Sequence, residues 1–352
     1  MEDRNLNSLW EEYARLFPKR SVFGERSLCW HVTYLCNLDC SFCDAKKSNE
    51  RIQKQVDFLK NNWRLYKKGF EKLPGSWEII LTGGEALALP GILGIVKDLV
   101  EMGHKISLTT NFSFSLDFYK KFLKIVDGKL HFFSASFKPE YYKLEPYLKK
   151  AQDINTAVKR MNGHFTVVAV AEPKWLDYLY NVGKMFNKKG IKYRLQAKRV
   201  NGSYIKYSKR EKEKISEFTR CFGLGKDVKL KSKGSYLRNE PSLNGFYNYL
   251  EEQDGSGSLL TKNLFNKCFK ITTQKTGSNC FKGSLCLAGI KYFVMDDFGN
   301  CFRCHSGITH ISGNQEYMGN LLKGGVRFFN NPKPCPHNSC SCILPYDMGL
   351  II

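Results

Sequence analysis

No stretch of this chain is apolar for anything near the ~20 residues that a membrane-spanning helix needs. The opening MEDRNLNSLWEEY is polar and acidic, which excludes the basic-then-apolar pattern of a secretion signal. Acidic residues are scarce beside basic ones, 33 against 55, leaving a net charge of +22. Also missing are the interleaved aromatic and basic residues of known RNA-binding modules. Residues 1–27 hold one amphipathic helix, near Asn5 to Phe17, with Leu6, Leu9, Trp10, Tyr13 and Leu16 at helical spacing. That is too short for a winged-helix peptide-recognition domain.

What is present is ordinary in bulk. The chain has 352 residues, 42% apolar and 25% charged, enough for one large domain and a smaller one. The positive charge permits an anionic partner: nucleic acid, an acidic peptide or a phosphorylated substrate. It fits a lysine-rich solvated surface equally well, because the lysines are spread through every segment. They are densest between Lys192 and Arg238.

The exception is cysteine. Thirteen thiols in a chain with no export signal point to metal binding in a reducing, cytoplasmic compartment rather than to disulfides. Three stand close together in CNLDCSFC, as Cys36, Cys40 and Cys43, directly after the apolar run LCWHVTYL. Thiolates are soft ligands that suit iron–sulfur clusters and zinc. Three of them can hold three irons of a four-iron cube and leave the fourth without a protein ligand. A zinc knuckle is the competing use of the same thiols.

From Leu28 the chain alternates strand-like and helix-like segments. Strands are expected near 28–35, 77–82, 105–110, 130–137, 164–170 and 192–199, with helices near 51–70, 90–102, 115–126, 145–161 and 175–189. Six strands alternating with helices imply a parallel sheet with right-handed crossovers, a partial (β/α)6 barrel of the TIM type. Chemistry then belongs at the carboxyl ends of the strands, where the Cys loop falls. The second strand ends in LTGGEAL, with Gly83, Gly84 and Glu85. Glycines allow close backbone approach to a ligand, and the carboxylate can accept hydrogen bonds. Later strand ends carry TTN (Thr109, Thr110, Asn111), SASF (Ser134, Ser136) and YRLQAK (Arg194, Gln196), with Glu172 after the fifth strand.

The C-x3-C-x2-C loop after a first strand, with Phe42 before the last Cys and GGE on the second strand, resembles the radical S-adenosylmethionine (radical SAM) superfamily. The resemblance implies a [4Fe-4S] cluster on Cys36, Cys40 and Cys43. Its open iron is chelated by the amino and carboxylate groups of S-adenosylmethionine. One electron from an external flavodoxin- or ferredoxin-type donor then yields a 5'-deoxyadenosyl radical that abstracts hydrogen from a substrate. It further implies cosubstrate contacts from Phe42, Gly83, Gly84, Glu85, Asn111, Ser136 and Arg194.

Seven thiols lie near the C-terminus: Cys280, Cys286, Cys301, Cys304, Cys335, Cys340 and Cys342. The span GIKYFVMDDFGN between the second and third reads as a β-hairpin turning at Asp297–Asn300, expected to bring Cys286 and Cys301 together. The pattern resembles the SPASM and twitch extensions, which implies at least one auxiliary [4Fe-4S] cluster, although the tail CPHNSCSC is shorter than the usual SPASM run. A zinc ribbon is the alternative. His305 and His337 adjoin these thiols, as ligands or as outer partners. Cys221 and Cys268 are expected to be small buried hydrophobes.

The expected organisation is a helical extension (1–27), a radical SAM partial barrel (28–200), a bridging region (201–279) and a Cys-rich auxiliary domain (280–352). The expected function is a radical SAM oxidoreductase acting on a peptide or protein, or on a small polar metabolite. A nucleic-acid-modifying radical enzyme and a non-enzymatic, metal-stabilised binding protein are the alternatives.

Overall fold

The computed structural model describes residues 26–43, 48–200, 203–218, 285–305, 317–330 and 333–335. The expected N-terminal helix, Cys221, Cys268, Cys280, His337, Cys340 and Cys342 lie outside the described residues.

Six parallel strands alternate with helices. They are β1 (Ser27–Thr33), β2 (Glu78–Gly83), β3 (Lys105–Thr110), β4 (Leu130–Ser136), β5 (His164–Ala171) and β6 (Lys192–Ala197). Between them run α1 (Asn49–Glu71), α2 (Ile92–Glu101), α3 (Leu116–Ile125), α4 (Leu144–Arg160) and α5 (Leu176–Lys188). A short hairpin, β7 (Arg199–Val200) and β8 (Ser203–Tyr204), leads to α6 (Lys209–Phe218). This is the α/β partial barrel expected. No helix of the described residues is long and apolar enough to cross a membrane.

The later segments are β9 (Leu285–Cys286), β10 (Tyr292–Met295), β11 (Asn300–Phe302), β12 (Tyr317–Asn320), β13 (Gly325–Val326) and β14 (Lys333–Pro334). Among the described residues, the large sheet runs β13-β12-β11-β10-β1-β2-β3-β4-β5-β6. The C-terminal hairpin therefore continues the barrel's own sheet. β10 lies parallel to β1, with Leu28 opposite Phe293 and Trp30 opposite Met295. β1 is thus an interior strand, paired on one side with β10 and on the other with β2.

Strand periodicity separates two apolar faces. Leu28, Trp30 and Val32 belong to the main core under the helices. Trp30 is fully buried, its ring centroid 5.6 Å from Tyr66 and 5.3 Å from Phe70 of α1. Cys29, Ile80 and Val294 face the other way, into a smaller cluster with Cys286, Leu287, Ala288 and Tyr292. Strands covered on both faces read as near-continuous apolar runs, which is how β1 reads in the sequence.

The hairpin turn is built on Asp296. Its carboxylate accepts from the backbone N–H groups of Phe298 and Asn300 at 2.9 and 2.8 Å. Next to it, Asp297 is buried and takes a two-pronged hydrogen bond from Arg51 of α1, at 2.7 and 3.0 Å. The Arg51 guanidinium also lies 4.3 Å from the Phe298 ring centroid. Tyr66 donates to the Asp297 carbonyl at 2.9 Å. The first helix of the barrel thereby locks the C-terminal hairpin.

Arg51→Ala leaves the Asp297 carboxylate buried without its cation. Because Arg51 is itself partly solvated, the expected cost is about 2–3 kcal/mol, below that of a fully enclosed pair. Hydrogen exchange should show protection falling for Tyr292–Phe302 while β3 to β5 stay protected; equal protection in both regions would refute the lock.

Candidate functional site

The Cys loop leaves β1 through a set of hydrogen bonds centred on Gln55 of α1, which is fully buried. Its amide donates to the Val32 carbonyl at 2.8 Å and accepts from the Thr33 hydroxyl at 2.7 Å. The same hydroxyl accepts from the Leu35 N–H at 3.0 Å. The chain is thus turned out of the strand toward Cys36 at a defined angle.

The GGE turn of β2 packs directly on this exit. Gly84 N–H donates to the Thr33 carbonyl at 2.7 Å, and Glu85 N–H to the Leu35 carbonyl at 2.8 Å. Gly83 has φ +123°, and a Cβ there would stand 2.2 Å from the Thr33 carbonyl oxygen. A Cβ on Gly84 would stand 2.5 Å from that of Leu35. What approaches these glycines so closely is the backbone of the Cys loop itself. The sequence suggested a ligand in that place.

Glu85 is fully buried. Its carboxylate accepts from the Asn111 N–H at 2.5 Å, the Thr110 hydroxyl at 2.9 and 3.0 Å, and the Leu87 N–H at 3.2 Å. Burial pushes its pKa up, opposed by those hydrogen bonds and by the charge of Lys138. The carboxylate thus ties the end of β2 to the end of β3. Asn111 then reaches back to the loop: its side-chain amide lies 3.6 Å from Cys36 Sγ and donates to Asn37 Oδ1 at 2.8 Å. Its carbonyl accepts from the Tyr142 hydroxyl at 2.8 Å.

Phe112, next in the chain, adopts φ +64°, a conformation that costs a bulky residue on the order of 1–3 kcal/mol. Its ring stacks on Tyr119 at 4.8 Å and sits 4.5 Å from the Lys150 ammonium, which also donates to the Phe112 carbonyl at 2.7 Å. Packing holds the strained turn that aims Asn111.

Cys40 is buried, and Cys36 and Cys43 are half-buried. Burial pushes the Cys40 thiol up to about 11; Lys138 opposes this, and Cys43, Glu140 and Cys36 add to it. The loop presents three soft donors and fits an iron–sulfur cluster held by three thiolates. A tetrahedral zinc ion, with Zn–S bonds near 2.3 Å, would draw its sulfurs to roughly 3.8 Å apart. Among the described residues the one Cys/His/Asp/Glu group with ligand atoms all within 4.8 Å is a different one. The three loop thiols thus do not stand as close together as a single zinc ion would hold them.

Ser136 and Arg194 stand farther along the sheet. They lie on one row through Val168, since Ser136 pairs with Val168 and Val168 with Arg194. Phe42 is half-buried in the Cys loop. The structure thus gathers Cys36, Asn111 and Glu85 at one point and sets Ser136 one strand and Arg194 three strands beyond β3.

In the C-terminal part, the expected meeting of Cys286 and Cys301 does not occur. Cys286 pairs across to Lys333 in β14, while Cys301 lies opposite Met295 in the hairpin. Cys301 faces the main core, fully buried, with Sγ 3.5 Å from the Gly299 carbonyl. Cys286 belongs to the opposite cluster, against which Cys304 packs. The physical reason is that Cys301 is turned inward by its place in β11, while Cys286 lies in β9, which pairs with β14 in a separate two-stranded sheet. Cys286, Cys304 and Cys335 are instead stitched together by Arg303, which is buried. Its guanidinium donates to the carbonyls of Ala288 at 3.1 Å, Pro334 at 3.0 Å and Lys333 at 2.6 Å.

The sequence reading missed Cys29 and His31. They share the inner face of β1, two residues apart, and His305 meets both. Cys29 Sγ lies 3.3 Å from His305 Nε2, and His31 Nε2 lies 3.3 Å from His305 Nδ1. Burial pushes the Cys29 thiol up to about 12. Burial, and to a smaller degree His305, hold the His31 imidazole down to about 3. The available signal was the alternation of Cys29 and His31 with Leu28, Trp30 and Val32.

Glu85→Ala would leave three buried donors without an acceptor. The expected loss is about 3 kcal/mol or more, with iron content after reconstitution falling alongside the melting temperature. Iron loading at the wild-type level in a folded Glu85→Ala protein would show that the carboxylate does not organise the loop.

Residues 30–164 match the Radical SAM superfamily. Among solved structures, native anSMEcpe with bound AdoMet superposes at a TM-score of 0.45 and 16% identity, over 84% of this chain and 78% of that one. Streptococcus suis SuiB bound to S-adenosylmethionine gives 0.43 and 16%, over 92% and 70%. SuiB bound to its precursor peptide SuiA gives 0.44 and 16%, over 90% and 67%. Among curated proteins none matches the chain. The matched segment contains the three-thiol loop, the GGE turn, most of β1 and strands β2 to β4, so the part of the chain that carries the site is the part similar to the Radical SAM superfamily.

Proposed function

We propose that this enzyme is a radical SAM oxidoreductase with an auxiliary [4Fe-4S] cluster, acting on a peptide or protein side chain or on a small polar metabolite. When bound, the first cluster and S-adenosylmethionine supply a 5'-deoxyadenosyl radical able to abstract a hydrogen atom. The observation that carries this reading is the Cys36–Cys43 loop at the carboxyl end of β1, with Asn111 held against Cys36 by the buried carboxylate of Glu85.

The protein's own residues divide the remaining work. Cys36, Cys40 and Cys43 hold the cluster, releasing their protons as they bind. Asn111 fixes Cys36 in place. Phe42, Gly83, Gly84 and Glu85 frame the cosubstrate's side of the loop. Ser136 and Arg194 offer a hydroxyl and a cation for the polar parts of the cosubstrate or substrate. The inner apolar cluster around Cys29, Ile80 and Val294 keeps water from the barrel wall. Cys286, Cys304 and Cys335 form the described part of the auxiliary ligand set, to which Cys280, Cys340 and Cys342 contribute from outside the described residues. Cys301, turned into the main core, is left out of that set.

Loss of a hydrogen atom leaves a substrate radical, and an oxidised product requires a second electron to depart. An auxiliary cluster is the natural acceptor. The net charge of +22 supports an acidic stretch on a peptide partner, and equally an acidic one-electron donor of the flavodoxin or ferredoxin type. Oxygen-sensitive clusters suit a reducing, cytoplasmic setting.

The test is anaerobic. Cluster-loaded, reduced protein should convert S-adenosylmethionine to 5'-deoxyadenosine and methionine, and Cys36→Ala should abolish the conversion while auxiliary iron remains. A wild-type protein with intact clusters that leaves S-adenosylmethionine uncleaved would overturn the proposal.

A further inference from the structure

A second group of ligands lies within the barrel wall, apart from the Cys loop. Cys29 Sγ, one nitrogen of His31 and one of His305 all fall within 4.8 Å of one another. They come from distant parts of the chain: Cys29 and His31 from β1, and His305 from just after β11. Cys29 is almost wholly buried, in the apolar cluster with Ile80, Tyr292 and Val294. The His31 and His305 ring centroids are 4.9 Å apart and meet edge to face.

Three features separate this group from a mere hydrogen-bonded chain. Zinc bonds near 2.3 Å to sulfur and 2.0–2.1 Å to nitrogen give a tetrahedral site ligand-to-ligand edges of roughly 3.3–3.6 Å. The contacts of Cys29 Sγ with His305 Nε2 and of His31 Nε2 with His305 Nδ1, both 3.3 Å, fall in that range, so either His305 nitrogen already stands at ligand spacing from one of its two partners. Second, His31 Nδ1 is buried and has no hydrogen-bond partner among the described residues. The ring is therefore not placed here by protein hydrogen bonding alone. Third, one thiolate with two imidazoles is a borderline-soft set suited to zinc. One nitrogen of each ring and the Cys29 sulfur lie within 4.8 Å of one another, near enough for a single ion once the His305 ring turns toward it.

We propose that Cys29, His31 and His305 bind one divalent transition-metal ion, zinc by their chemistry, which clamps the C-terminal segment to the first strand of the barrel. Binding takes the Cys29 proton into solvent and leaves a thiolate and two neutral imidazoles on the ion. His305 spends one nitrogen on the metal; a turn about its soft χ2 angle presents that nitrogen to the point shared by Cys29 and His31. The clamp would fix Cys304, the neighbour of His305, relative to β1 and so to the Cys loop at the end of that strand. The site stands independently of the radical chemistry proposed above.

The experiment uses the full chain, loaded with its iron–sulfur clusters, incubated with Zn²⁺ and freed of excess metal. Wild type should retain one zinc per chain, and Zn²⁺ should raise its melting temperature. Cys29→Ser and His305→Gln should fall to background zinc, lose the shift in melting temperature, and keep wild-type iron. His305→Gln, at a half-buried position, keeps the test decisive if Cys29→Ser fails to fold. Wild type without bound zinc, or zinc equal in wild type and variants, would overturn the proposal. Loss of iron from His305→Gln would overturn it too, by assigning the residue to an iron–sulfur cluster.

Discussion

The parallel pairing of β1 on both of its edges governs this molecule. A first strand in a partial barrel would otherwise expose one row of backbone N–H and C=O groups, with the Cys loop at its tip free to sway. Here β10 fills that edge from the far end of the sequence. The strand that carries Cys36 is therefore anchored by two neighbours, by Trp30 in the main core and by Gln55 at its exit. The price is a long-range contact: residues 27–30 cannot be completed until residues 292–295 arrive.

The second constraint is the meeting of three strand ends around one carboxylate. Glu85 gathers Thr110, Asn111 and Leu87, and its own N–H holds Leu35. The two glycines before it bring this carboxylate against the Cys loop, since a methyl group at either would meet a carbonyl oxygen. Positioning of the thiols is thus a property of β2 and β3 as much as of the loop. Two backbone N–H groups, the Thr110 hydroxyl and the nearby charge of Lys138 explain why such a buried acid is tolerated.

Much of this was legible in the residues. The strand at 28–35 and the five that follow were visible as β-branched and aromatic runs, and the hairpin turn as Asp–Asp–Phe–Gly–Asn. The thiol loop and GGE pointed to the family on their own. The face of each hairpin residue was not legible, because it depends on register, and a shift of one residue inverts every side chain. That is how Cys301 came to be coupled with Cys286 when it faces Tyr66 and Leu321's side of the sheet. That Gly83 and Gly84 also admit the backbone of the Cys loop was not legible, because sequence shows that something comes close without showing what. His305 could be seen beside a Cys, but its partners lie 274 and 276 positions away, where no local pattern reaches.

Arg303 carries a consequence for biosynthesis. Its buried guanidinium donates to the carbonyls of Ala288, Lys333 and Pro334. Two of those three come from residues made some thirty positions later, so the enclosed arrangement cannot form until translation has passed Pro334, and until then the guanidinium stays in water. The face that carries Cys286 and Cys304 is therefore closed late, by one of the last strands of the described chain.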